Sequence, residues 1–449
     1  MQKNEILTLT AETLGAELEG VCRHDGMAVF VPGMLAGETA KVQIVKTEKR
    51  YAFGKMVSAP EIPSPARREP DCRAYPQCGG CAARHILYEE TLAAKRQHVE
   101  DCFRRIGKLN VTVPETIGME HPFAYRNKTA LPIGGTAEDP VLGFFAPRSH
   151  WLIPAGDCPN AMAPAAEIAR AVQAWIRENK IQPYHEETGT GLLRHLVTRV
   201  NRKGEAMVTI VVNGKKLPHA EELYERLQAL GIISLYVNEN TKRTNVIFGE
   251  NFQLIAGTPT LTDTLCGLSF DLAPAAFFQI NPAQTEKLYA LALEAADPRP
   301  GETLCDVYCG AGTISLMMAR HCDRVTGIEI VGPAVENARE NARRNGITNA
   351  EFFEGKAEDL LPRMVRDGLR PDIIVVDPPR KGLELSVIDA IAAAGPDRLV
   401  YVSCNPATQA RDAALLNDRG YTVRSLQPVD MFPFTSHSEC VALLSRSPL

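Results

Sequence analysis

The chain has 449 residues, of which 45% are hydrophobic, 23% charged and only 6% aromatic. The 49 Lys and Arg against 54 Asp and Glu leave a formal charge of -5. These proportions exclude a disordered chain and a globally basic nucleic-acid coat protein, while leaving room for a local basic patch.

No run approaches the roughly 18 apolar residues of a membrane span, so no membrane partner is expected. The opening MQKNEILTLTAETLGAELEG lacks the basic start and apolar stretch of a signal peptide. The expected location is the cytoplasm, where the 12 cysteines stay reduced. Residues 1–58 read as a β module. Ala28–Val31, Thr39–Val45 and Tyr51–Val57 are rich in strand formers, and Gly26, Gly33 and Gly37 punctuate them. Short strands with close turns predict a five-stranded, OB-like barrel. Pro60, Pro63 and Pro65 then form a stiff linker.

Residues 59–265 read as a mixed α/β domain. A helix is expected over 88–106, with Leu92, Val99, Phe103 and Ile106 on one face. Helices over 161–179 and 218–230 accompany strands at Thr198–Val200, Ala206–Val212 and Ile233–Asn238. Residues 266–449 alternate strand and helix. Thr303–Val307, Arg324–Ile330, Asp372–Asp377 and Leu399–Ser403 are apolar strands, and Pro333–Asn345 is a helix. Such a pattern predicts an α/β, Rossmann-like sheet covered on both faces, with ligands at the C-terminal ends of its strands. Residues 41–110 hold 14 Lys and Arg against 8 Asp and Glu. That excess is either a solvated face or a phosphate-contacting surface beside the barrel.

Asp306-Val307-Tyr308-Cys309-Gly310-Ala311-Gly312 ends a strand and opens a helix. Gly310 and Gly312 let the backbone approach a ligand. Glu329 ends the next strand, where a carboxylate can hold two ribose hydroxyls. The glycines do not form the G-x-G-x-x-G of a dinucleotide site, so a nucleoside without phosphates fits, and S-adenosylmethionine fits best. A bare strand–helix turn is the alternative. Gln279 lies upstream with an amide that both donates and accepts, and by itself reads as a surface-exposed loop amide.

Asp377-Pro378-Pro379-Arg380 ends the third of these strands, and the prolines fix the carboxylate at its tip. Methylation of an exocyclic amine would favour an aromatic residue after Asp-Pro-Pro. Arg380 stands there instead. The next strand ends Val402-Ser403-Cys404-Asn405-Pro406, placing a thiol at the same edge. Cys404 is either a small core residue or a nucleophile, which would need activation from a free-thiol pKa of about 8.5. Glu439 precedes the last apolar strand and by itself reads as an ordinary charged residue at a strand start. One reaction uses all of these. A thiolate adds to carbon 6 of uracil, and carbon 5 then takes a sulfonium methyl. A carboxylate removes the carbon 5 proton, and elimination frees the thiol.

The chain resembles the RNA uracil-5-methyltransferases, in particular the 23S ribosomal RNA branch with a TRAM barrel and an iron–sulfur cluster. The likeness is carried by Tyr401 to Thr408 with Arg411-Asp412, by Asp430-Met431-Phe432-Pro433 leading to Glu439, and by Phe277-Phe278-Gln279-Ile280-Asn281. It implies Cys404 as nucleophile and Glu439 as proton acceptor. It also implies cofactor contacts at Gln279, Tyr308, Glu329 and Asp377, beside Asp306 and Gly310 of the glycine turn. The implied substrate is a uridine of 23S rRNA, lifted from its stack, and a monomer is expected. The tRNA branch is the near alternative. The family's tRNA members typically lack the barrel and the cluster. An inactive iron–sulfur RNA-binding protein is the more distant alternative.

Cys72, Cys78 and Cys81 read C-x5-C-G-G-C, and Cys158 follows in Asp-Cys-Pro. Four thiolates suit a [4Fe–4S] cluster or zinc. The resemblance implies the cluster, with a structural and RNA-positioning role. Arg126 and Lys128, in Tyr125-Arg126-Asn127-Lys128, resemble a family segment near the substrate and are candidate phosphate contacts.

Overall fold

The structure is a computed structural model that describes residues 1–446. Alternating apolar residues close the first segment into a five-stranded barrel of Ile6–Leu14, Gly20–His24, Met27–Val31, Thr39–Thr47 and Tyr51–Met56. Leu9, Ala11, Cys22, Val29, Val31, Val42 and Ile44 point inward and fill it.

The middle region holds a seven-stranded sheet. Lys128–Gly135, Leu193–Val200, Ala206–Val212 and Ile232–Glu239 form its centre, with one parallel pairing between the last two. Helices Ala165–Glu178 and Ala220–Gln228 cover one face around Trp175.

The helix expected over 88–106 is α-helical only from Tyr88 to Cys102, and Phe103–Gly107 forms a π turn. The wider turn breaks the 3.6-residue period. Val99 and Phe103 therefore stay buried, while Ile106 is 50% exposed rather than on the apolar face. This helix packs against the C-terminal sheet, not the middle one.

The C-terminal sheet has seven strands, numbered here β1 Thr303–Val307, β2 Arg324–Glu329, β3 Ala350–Glu354, β4 Ile373–Val376, β5 Arg398–Ser403, β6 Tyr421–Val429 and β7 Glu439–Arg446. Their order is 3-2-1-4-5-7-6, parallel except for β7, which runs antiparallel to both neighbours. Helices Pro282–Ala296, Thr313–Met318 and Gly332–Arg344 bury one face. Helices Tyr88–Cys102, Ala357–Arg366, Leu385–Ala394 and Pro406–Asn417 bury the other. The expected doubly wound fold is thus formed. Among the described residues no helix is long and apolar enough to cross a membrane.

Candidate active site

Two Asn-Pro pairs set the local geometry. Asn405 caps the helix Pro406–Asn417, its side chain accepting from Ala407 N at 3.1 Å, and Pro406 occupies the first turn. Asn281 caps Pro282–Ala296 in the same way, accepting from Gln284 N at 3.2 Å. Each pair starts a helix sharply, with Cys404 on the turn after β5 and Gln279 in the irregular loop that precedes Pro282.

The antiparallel register pairs Ser403 of β5 with Cys440 of β7. The next position along places Cys404 beside Glu439. Cys404 is half-buried, and Glu439 is only 6% exposed. Burial, then the negative charges of Glu439 and Asp377, push the Cys404 thiol up, and Arg380 opposes them. Burial and Asp377 likewise hold the Glu439 carboxyl well above the usual carboxylate range, again opposed by Arg380. Asp377, at the end of β4, is pushed up to about 7 by burial and by Asp306. A thiol and two carboxyls therefore face one another, with Arg380 as the opposing cation.

The glycine turn lies on the same edge. Gly310 has a φ of +56° with open space where a side chain would stand. Gly312, at +80°, has Ala338 and Phe352 at 3.1 Å from the position of a Cβ, so a larger residue is excluded. Glu329 accepts from Gly310 N at 3.1 Å and from Val331 N at 2.8 Å. Asp306 is buried and accepts from Ser315 Oγ at 2.5 Å, leaving Oδ1 without a partner. Burial pushes it up to about 6. The Tyr308 hydroxyl is likewise buried and unpartnered. Ile330 and Val331 stand exposed beside Glu329. Gln279 is held through its carbonyl, which accepts from Asn127 Nδ2 at 2.9 Å, and Phe277 beside it is 76% exposed.

Cys72, Cys78, Cys81 and Cys158 are free thiols lining one cavity of ≈ 670 Å³. Gly80 N donates to Cys78 Sγ at 3.3 Å, and Asn160 Nδ2 to Cys81 Sγ at 3.4 Å. Among the described residues no group of three or more His, Cys, Asp or Glu is arranged to hold a metal ion. The expected tetrathiolate cage is thus not closed. The four thiols share that cavity.

Arg126 borders this cavity and a second, larger one. Lys128 is half-buried over the Phe248 ring, 5.3 Å from its centroid. Burial and Arg199 push its ammonium down to about 8.

Sequence reasoning missed Arg84, His437, Tyr289 and Phe434. Tyr289 is buried on the helix Pro282–Ala296, and its hydroxyl is 3.0 Å from Thr313 Oγ1. An aromatic residue on an apolar helix face carries no signal of such a place. Arg84 had one: a cation three residues after Cys81.

Residues 203–447 match the profile of the tRNA (uracil-5-)-methyltransferase family. The chain belongs to the RNA uracil-5-methyltransferase family. Residues 2–57 match the TRAM domain, which identifies the barrel. An uncharacterized RNA methyltransferase of Clostridium acetobutylicum is 42% identical over 99% of this chain and 98% of its own length. One of Halalkalibacterium halodurans is 43% identical over 99% and 98%. The crystal structure of Pyrococcus abyssi tRNA (uracil-54, C5)-methyltransferase, in complex with S-adenosyl-L-homocysteine, superposes with a TM-score of 0.78 at 26% identity, covering 98% of this chain and 100% of that one.

Proposed function

We propose that this RNA methyltransferase transfers a methyl group from S-adenosylmethionine to carbon 5 of a uridine in 23S rRNA. Cys404 is the nucleophile and Glu439 the proton acceptor. The observation that carries the chemistry is the β5–β7 register, which sets Cys404 beside Glu439 on the edge that also bears the glycine turn.

The turn fits the donor. Gly310 leaves open space, Asp306 Oδ1 and Tyr308 Oη are buried without partners, and Ile330 and Val331 offer an apolar face to a flat base. Glu329 would hold the ribose, and Gln279 and Asp377 the remainder. When bound, S-adenosylmethionine supplies an electrophilic methyl. The chain's own residues do the rest. The Cys404 sulfur bonds to carbon 6, which makes carbon 5 electron-rich. After carbon 5 is methylated, Glu439 takes its proton. The electron pair restores the 5,6 double bond and the sulfur leaves. The raised pKa of Glu439 makes its ionised form a stronger base. Arg380 favours the ionised forms of both groups.

Four thiols in one cavity also suit a [4Fe–4S] cluster held by Cys72, Cys78, Cys81 and Cys158. A single zinc ion held by the same four sulfurs is the alternative occupant. The group's contribution would be to order this segment beside the RNA.

RNA fits a cavity of ≈ 1460 Å³ bordered by all three regions, 1–58, 59–265 and 266–449. Phe53 and Lys55 come from the barrel, Arg68 and Arg126 from the middle region, and Arg380 and His437 from the catalytic sheet. Basic and aromatic groups in one groove suit single-stranded RNA.

A second reading takes tRNA as substrate. The P. abyssi enzyme acts on uracil 54 of tRNA and is similar over the whole length of both chains. The barrel alone therefore does not distinguish the two substrates. Methyl transfer from labelled S-adenosylmethionine to unmodified 23S rRNA and to unmodified tRNA separates them. Label as 5-methyluridine in 23S rRNA, lost with Cys404→Ala, is the expected result. Label in tRNA alone overturns the substrate, and label in neither overturns the reaction.

A further inference from the structure

The segment that delivers Glu439 bends at Phe434, whose φ of +61° is left-handed although the residue carries a bulky side chain. The bend is gripped from the cysteine segment. Ala82 N and Ala83 N both donate to the Phe434 carbonyl, at 2.9 and 3.0 Å. The next residue along, Arg84, lies over the buried Phe434 ring with its guanidinium carbon 4.7 Å from the centroid, and 5.3 Å from that of Phe123.

Arg84 is 1% exposed, an extreme value for a guanidinium. It donates to Asp71 Oδ1 at 2.6 Å and to the Asn160 side-chain oxygen. The Asn160 amide nitrogen in turn donates to Cys81 Sγ. One buried cation thus joins a cysteine of the ≈ 670 Å³ cavity to the turn five residues before Glu439. A planar fork fixed by a carboxylate, an amide and two ring faces specifies orientation, which a flexible ammonium would not.

We propose that Arg84 is a positioning residue: it pins the Phe434 turn to the cysteine segment, so that the state of Cys81 governs where Glu439 stands. The proposal rests on the reading of Glu439 as the acceptor of the carbon 5 proton. Formation of the sulfur–carbon 6 bond and methyl transfer need Cys404 and the glycine turn, which Arg84 does not touch. Only removal of the proton, and the elimination that follows it, depends on the pinned turn.

The test uses full-length Arg84→Met and Arg84→Lys with a 23S rRNA fragment and labelled S-adenosylmethionine in a single turnover, beside Glu439→Gln. Methyl transfer should stay within about 2-fold of wild type, while the denaturant-resistant protein–RNA adduct persists about 10-fold longer in Arg84→Met and less so in Arg84→Lys. Amide hydrogen exchange over residues 431–438 should quicken in both variants and in Cys81→Ser. Transfer and release slowed equally, or unchanged exchange over 431–438, would overturn the proposal. Should Arg84→Met fail to fold, Arg84→Lys carries the same comparison, since it keeps the charge and loses the fork. Normal release by Glu439→Gln would instead overturn the base assignment, and the exchange measurement then decides the pin alone.

Discussion

Lys95 Nζ donates to Asp430 Oδ1 at 2.5 Å, and both side chains are buried. Tyr88 Oη donates to the other Asp430 oxygen at 2.6 Å, and Lys95 also reaches the Phe432 carbonyl at 3.1 Å. Burial pushes the ammonium down and Asp430 holds it up, so the two charges depend on each other. Through this pair the helix Tyr88–Cys102 is bolted to the segment that leads to Glu439.

Lys95→Met should therefore cost about 3–5 kcal/mol, because it strands a buried carboxylate. Replacing both partners, as Lys95→Met with Asp430→Leu, should recover much of that loss. Urea unfolding of the two variants checks this. Equal stability of the single and double variants would contradict a buried ion pair.

Asp377 gives a pH dependence of opposite sense to an ordinary acid. Its folded-state pKa of about 7 lies above the value of an unfolded aspartate, so the folded chain binds the extra proton between them. Stability contributed by the neutral form is then present at low pH and is lost as pH rises from about 4 to about 7. Asp377→Asn should raise the melting temperature near pH 8 and leave it almost unchanged near pH 4. A gain that is the same at both pH values would show that the carboxyl titrates normally.

Glu439→Gln should methylate carbon 5 yet stay bound to RNA, since the proton remains and elimination stops. Gel electrophoresis under denaturing conditions reads the adduct directly. Cys404→Ala should give neither adduct nor product. A Glu439→Gln enzyme that turns over at the wild-type rate removes Glu439 from the mechanism.

The barrel presents Phe30, Tyr51 and Phe53 as a cluster, with ring centroids 5.6 to 5.9 Å apart. Phe53→Ala should weaken RNA binding by about 10-fold, in line with about 1–3 kcal/mol per stacked base. Binding of S-adenosylmethionine should not change. Isothermal titration with each ligand separates the two, and unaltered RNA affinity would place the RNA elsewhere.

Iron chemistry is read independently of turnover. Cys78→Ser should lose visible absorbance and bound iron from anaerobically purified protein. Stoichiometric zinc in the wild type, with no iron, would replace the cluster by a single ion.

Much of the catalytic sheet was legible because its central strands are buried on both faces. Ile373–Val376 and Arg398–Ser403 read as unbroken apolar runs. The edge strands β3 and β6 were not read: each pairs on one side only, and Glu351, Arg424 and Ser425 interrupt their apolar character. Cys404 stood out because it follows an apolar strand, whereas Glu439 was singled out by the chemistry and the family resemblance, and their adjacency depends on an antiparallel register that local pattern does not encode. Lys95 was invisible for a different reason. A buried cation looks like any surface cation until its distant partner is known, and the π turn that expels Ile106 leaves no compositional mark.

The insertion of β7 between β5 and β6 also bears on the order of synthesis. Of the seven strands it is the last in the chain, yet it lies inside the sheet. A nascent chain still lacking it carries Cys404 but not Glu439, and its β6 has no partner to join it to β5. The pairing that sets Glu439 beside Cys404 is therefore completed only after the last strand of the chain has entered the sheet.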